Sequence, residues 1–108
     1  MFLKIENQLF NTDNLQYFIY DDNKLSILFN GYVKCELRQN NEEYLDFLDY
    51  IKTDENIIVF NKYYGSNLKN ISGLYQEKDI VTFYFSDGST KKFSDINFDQ
   101  FEKLITEE

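Results

Sequence analysis

The chain has 108 residues, enough for one domain and too few for two independent cores. Hydrophobic residues make up 43% and aromatic residues 19% of it, which excludes a disordered tail and supplies large side chains to a small core. A formal charge of −8 argues against a clustered phosphate-binding surface and against attraction to anionic membranes, and leaves open a basic partner.

Strand signals dominate the first third. Leu3 and Ile5 alternate with Lys4 and Glu6 as a half-buried edge strand would. Leu15 to Tyr20 is apolar and aromatic, and it stops at the polar turn Asp21-Asp22-Asn23-Lys24. Leu25, Ile27 and Phe29 share one face of the next strand. Asn30-Gly31 then predicts a two-residue hairpin turn, because both residues tolerate positive φ. Val33, Cys35 and Leu37 return on one face, alternating with Lys34, Glu36 and Arg38. The period then changes to about 3.6. Tyr44, Phe47, Leu48 and Ile51 form the apolar stripe of a helix, and Asn40 with Glu43 has the spacing of a capping box.

The second half runs in the same order. Ile57 to Phe60 predicts a short strand, and a polar Gly65-Ser66-Asn67 stretch leads to a strand over Leu68 to Tyr75. Gln76-Glu77-Lys78-Asp79 is a turn, Val81, Phe83 and Phe85 share a strand face, and Asp87-Gly88 turns the chain into Ser89 to Phe93. Asn97 with Gln100 suggests a second capped helix with Phe98, Phe101, Leu104 and Ile105 on its apolar side. The expected fold is α+β: one domain over 1–108 whose similar halves, 1–53 and 56–108, each run ββββα. Their two helices would pack across one antiparallel sheet of about six to eight strands. Two hairpin-plus-helix units also look alike simply because hairpins and helices share rules. This strands-then-helix order resembles the repeat of Pur-alpha-like single-strand nucleic-acid binders. The resemblance is architectural: no strand face here interleaves basic and aromatic residues, so that family's function does not carry over.

Catalytic chemistry has little to stand on. Histidine is absent, which removes the commonest general base and zinc ligand. Cys35, the single cysteine, lies on the apolar side of its strand and reads as a small hydrophobe. Gly31, Gly65, Gly73 and Gly88 are scattered and form no phosphate loop. Asp21-Asp22 and Asp54-Glu55 read as solvated turn chemistry, without the spaced ligands of a calcium loop. No enzyme activity, cofactor or metal is expected.

The acids of the first helix, Glu42, Glu43, Asp46 and Asp49, lie off its apolar stripe with only Lys52 to offset them. Like charges at this spacing cost a few tenths of a kcal/mol per pair, so the face suits a basic partner; a solvated face in an acidic protein gives the same pattern. Tyr63 and Tyr64, with Phe18 and Tyr20, are a second candidate surface. The expected function is a small acidic inhibitor that occupies a basic surface on a nuclease or toxin. It would be a phage-encoded inhibitor of the anti-CRISPR kind or an immunity protein, with Glu42, Glu43, Asp46, Asp49, Tyr63 and Tyr64 as partner-binding residues and no direct contact with nucleic acid. A self-assembling module, including a homodimer, is the alternative. Single-stranded nucleic-acid binding through Lys34, Arg38, Lys91 and Lys92 is a third reading. The early charges of Met1-Phe2-Leu3-Lys4-Ile5-Glu6 and the lack of a long apolar run predict a cytoplasmic location. Absent proline and abundant Asn, Ile, Lys, Tyr and Asp suggest an AT-rich bacterium or its phage as the source.

Overall fold

The computed structural model describes residues 1–60 and 62–94 together with Ile96, Asp99 and Glu102. The chain divides into two compact units, Met1–Asn70 and Ile71–Glu108.

The first unit opens with a hairpin of β1 (Phe2–Ile5) and β2 (Gln8–Asn11), which among the described residues pair only with each other. A short 3-10 turn at Thr12–Asn14 leads into β3 (Leu15–Asp21), followed by β4 (Lys24–Phe29), β5 (Val33–Arg38), helix α1 (Asn41–Ile51), β6 (Ile57–Phe60) and β7 (Tyr64–Asn67). These five strands form one antiparallel sheet in the order β5-β4-β3-β7-β6. Leu15, Phe18, Tyr20, Leu25, Ile27 and Phe29 point to one face of it and share a core with Tyr44, Leu48 and Ile51 of α1 and Leu3 of β1. Tyr20 stacks on Tyr44 at 3.9 Å between ring centroids, and Phe18 meets Phe47 edge-on at 5.1 Å. β4 thus buries alternate side chains, Leu25, Ile27 and Phe29, on the face that meets the helix stripe that the 3.6 period marked.

Local signals set the ends of these elements. The capping box of α1 is complete: Glu43 N–H donates to Asn40 Oδ1 at 2.9 Å, and Asn40 N–H donates to Glu43 Oε1 at 3.0 Å. Asp22 and Asn23 take the positive φ values, 51° and 59°, that a two-residue hairpin turn requires. The turn at Asn30-Gly31 is a residue longer than expected, since Phe29 pairs with Val33, and positive φ falls on Gly31 and Tyr32 rather than on Asn30.

Two local expectations need correction. Phe18 and Tyr20 are core residues, fully buried and 8% exposed, so they are not part of an exposed aromatic surface. The stretch read as a polar connection, Gly65-Ser66-Asn67, lies on the buried strand β7. Its polar groups are satisfied by partners far away in sequence. Ser66 Oγ donates to the Gln16 carbonyl at 2.5 Å, and Asn67 Nδ2 to the Thr12 carbonyl at 2.7 Å. Asn70 Nδ2 donates to the carbonyls of Asp13 and Leu15. A buried polar strand is stable on these terms because every amide brought out of water finds an acceptor.

The second unit contains β8 (Ile71–Glu77), β9 (Ile80–Phe85) and β10 (Thr90–Ser94), an antiparallel sheet in the order β10-β9-β8. Val81, Phe83, Phe85 and Phe93 are buried on one face, with Phe83 and Phe93 edge-on at 4.9 Å. Asp87 Oδ1 accepts from Ser89 N–H at 2.9 Å and closes the turn, where Gly88 has φ 91°.

The expected single sheet with two helices in a ββββα repeat is therefore corrected. The described residues form a mostly β fold of ten strands in three sheets with one helix. Alternation gave no sign of β2 or β7 and carries no information on which strands pair; β3 pairs with β7 rather than extending one continuous sheet. The second helix expected around Phe98, Phe101, Leu104 and Ile105 lies outside the described residues. Among the described residues no helix is long and apolar enough to cross a membrane.

Candidate functional site

Positive charge gathers at one margin of the five-stranded sheet. Lys24 on β4 pairs across the ladder with Arg38 on β5, and Leu28 pairs with Lys34. Directly opposed residues point to the same face, so Lys24, Lys34 and Arg38 share the solvent side, opposite the core. β5 is the outermost strand, which leaves this strip at an edge. Lys34 and Arg38 lie about 13 Å apart along the strand, a span of about four base-pair steps of duplex DNA.

Glu36 lies within the strip, and Asp21 on β3 stands opposite Lys24 at its flank. Glu36 Oε1 is 2.8 Å from Lys34 Nζ and Glu36 Oε2 is 3.0 Å from Lys24 Nζ. Hydrogen bonds from Lys34 and then Lys24 hold the Glu36 carboxyl below the usual carboxylate range. Arg38 makes no ion pair among the described residues. Tyr32, at the tip of the β4–β5 hairpin, is 81% exposed.

Of the basic residues suggested by the sequence, two belong to the first unit and two to the second. Lys34 and Arg38 come together, joined by Lys24, which the sequence reading had not singled out. Lys91 and Lys92 belong to β10 of the second unit and alternate in direction, Lys91 half-buried and Lys92 exposed. Cys35, between Lys34 and Glu36, points the other way and packs half-buried against the core, where burial pushes its thiol up.

The six residues expected to bind a partner fall in two places. Glu42, Glu43, Asp46 and Asp49 are all exposed on α1. Glu43 and Asp46 also line a groove of about 700 Å³ with Phe2, Leu9, Phe47 and Tyr50. Tyr63 and Tyr64 line a separate hollow of about 410 Å³ with Ile19, Tyr20, Asp21 and Asp22. The two cavities share no lining residue. Asp21 and Asp22, expected as turn residues, line that hollow; no local pattern links them to Tyr63 and Tyr64, which pairing of β3 with β7 brings alongside. No group of three or more Cys, Asp or Glu among the described residues is placed to hold a metal.

No family model and no curated protein matches the sequence. Among solved structures, the chain is similar to the LytTr DNA-binding domain of a methyl-accepting/DNA response regulator from Bacillus cereus. The TM-score is 0.68 at 15% identity, over 97% of this chain and 94% of that one. At this identity the likeness is one of fold.

That finding corrects the functional expectation. The fold matched is that of a domain named for DNA binding, so a protein-binding inhibitor of anti-CRISPR or immunity type, and a partner list that leaves out nucleic acid, have no support. The physical error lay in treating the net charge as evenly spread. Four acids are exposed on α1, while Lys24, Lys34 and Arg38 occupy one margin of the sheet, and phosphate attraction depends on such local charge. Over 97% of the chain, the fold is similar to that of a domain named for DNA binding.

Proposed function

We propose that this chain binds DNA directly as a non-catalytic module, with the β4–β5 margin as its phosphate-contacting surface. The observation that carries the reading is the fold likeness, which spans 97% of the chain and a domain named for DNA binding. The basic strip supports it independently. Lys24, Lys34 and Arg38 face solvent together, and phosphate contacts from such residues give affinity without reading sequence. A cytoplasmic location, where DNA is accessible in a bacterial cell, belongs to the same proposal.

Fluorescence anisotropy with a labelled duplex, titrated between about 50 and 200 mM salt, tests it. Three contacts at most set a log–log salt slope no steeper than about −3, and Arg38→Ala is expected to weaken binding and reduce the slope by about 1. Absence of binding at the lowest salt would overturn DNA binding itself. Binding whose affinity and slope are untouched by a Lys34→Ala/Arg38→Ala double variant would move the interface elsewhere.

A further inference from the structure

The groove between the first hairpin and α1 joins an unpaired strand edge to an acidic wall. Phe2 and Lys4 of β1 line it, with Leu9 of β2 directly across the ladder from Lys4. Glu43, Asp46 and Tyr50 of α1 stand on the other side. The Tyr50 hydroxyl donates to the Phe2 carbonyl and ties the helix to the strand. The volume of about 700 Å³ falls within the range of binding clefts.

Two hydrogen bonds fix which way the β1 backbone points. The Met1 carbonyl accepts from Thr12 N–H, on the β2 side, whereas the Phe2 carbonyl accepts from Tyr50, on the α1 side. Antiparallel pairing alternates residue by residue, so Lys4 turns its N–H and carbonyl the same way as Phe2, toward α1. Among the described residues β1 pairs with β2 alone, which leaves this edge open to a further strand. Gln39 lines the same groove, and its Oε1 is a buried acceptor that takes no hydrogen bond among the described residues.

Apolar surface and charge define the occupant. Phe2 is 53% and Leu9 68% exposed beside the open edge. Glu42, Glu43, Asp46 and Asp49 make no ion pair among the described residues, and neither do the nearby Lys4 and Lys52. The four acids outnumber those two cations, so the wall repels DNA and attracts a cationic chain. We propose that the groove takes a short extended segment of a protein, with lysine or arginine at alternate positions and apolar residues between. Its backbone pairs with Lys4 as an added strand, its apolar side chains lie over Phe2 and Leu9, and its cations face Asp46 and Glu43. The groove shares no residue with the strip of Lys24, Lys34 and Arg38, so the proposal does not rest on the DNA reading.

The probe is a pool of blocked pentapeptides of that pattern, titrated into the full chain and read by amide chemical-shift changes. Saturable shifts are expected at Phe2, Lys4, Leu9 and Tyr50. A matched pool with glutamate in place of the cations should bind roughly tenfold more weakly or worse. The cationic pool N-methylated along its backbone keeps its charge but cannot pair as a strand, and should lose about the same factor. Asp46→Asn should weaken the cationic pool roughly threefold while its far-ultraviolet circular dichroism stays that of the parent. Equal binding of the cationic and glutamate pools, or full binding of the N-methylated pool, would overturn the proposal without relying on any variant. So would shifts no larger than those from sodium chloride at equal ionic strength. A dimer in sedimentation equilibrium that Leu9→Asp dissolves, with no peptide bound by the resulting monomer or by the parent, would replace the peptide with a second copy of this chain.

Discussion

Phe18 and Gly65 face each other on neighbouring strands β3 and β7, and the Phe18 ring occupies the space where a side chain at Gly65 would begin. A Cβ at position 65 would lie 2.1 Å from Phe18 Cε1. Glycine is needed there for close approach. Gly65→Ala is expected to destabilise the first unit by about 1–3 kcal/mol, the usual cost of overpacking. Urea unfolding measures it, and combining Gly65→Ala with Phe18→Leu should cost less than the sum of the two single changes.

The start of α1 rests on reciprocal bonds between Asn40 and Glu43. Asn40→Ala removes an acceptor from a helix N-terminus and should cost about 1 kcal/mol, whereas Asn40→Asp should be close to neutral. A shift in the denaturation midpoint at unchanged slope is the readout. Equal losses in both variants would show that the cap does not stabilise the helix.

Glu36 holds two of the three ammonium and guanidinium groups of the basic strip. Phosphates approaching Lys24 and Lys34 must compete with that carboxylate. Glu36→Gln should therefore bind DNA more tightly than the parent and show a steeper salt dependence, by about one to two further contacts. Unchanged anisotropy titrations at low salt would count against the strip as the interface.

Tyr44 is pushed well above the ordinary tyrosine range, chiefly by burial and then by the neighbouring Tyr20 and Tyr63. Its hydroxyl donates to the Lys62 carbonyl, which also favours the protonated form. A raised pKa in the folded state means its stabilising contribution is complete below pH 10 and is lost as pH climbs through the folded-state value. Alkaline titration followed by phenolate absorbance should show the buried tyrosines, Tyr44 and Tyr17, ionising late. Tyr44→Phe should reduce that late amplitude by one tyrosine.

What was legible in the sequence was local. The stripe of Tyr44, Phe47, Leu48 and Ile51 and the Asn40–Glu43 spacing are contained within one helix, and both appear as expected. The alternation of Val81, Phe83 and Phe85 likewise settles which way a strand faces. β3 offers no such contrast, since Leu15 to Tyr20 is apolar or aromatic at nearly every position, and its register breaks at a bulge between Leu15 and Tyr17. β7 reads as a loop because its burial depends on carbonyls 50 and 55 residues away, and no short-range pattern encodes them. The basic margin was half visible: Lys34 and Arg38 stood out, but Lys24 joins them only through hairpin pairing.

The central position of β3 also has a consequence during synthesis. Its first neighbour, β4, emerges immediately after it, while its other neighbour, β7, emerges only after β5, α1 and β6. Until then one hydrogen-bonding side of this largely buried strand is unpaired on the nascent chain. Such an edge can pair with another chain, and a contact this distant closes slowly. Chain arrest anywhere between α1 and Tyr64 would therefore leave a species more prone to aggregation than either a shorter fragment ending before β3 or the finished protein.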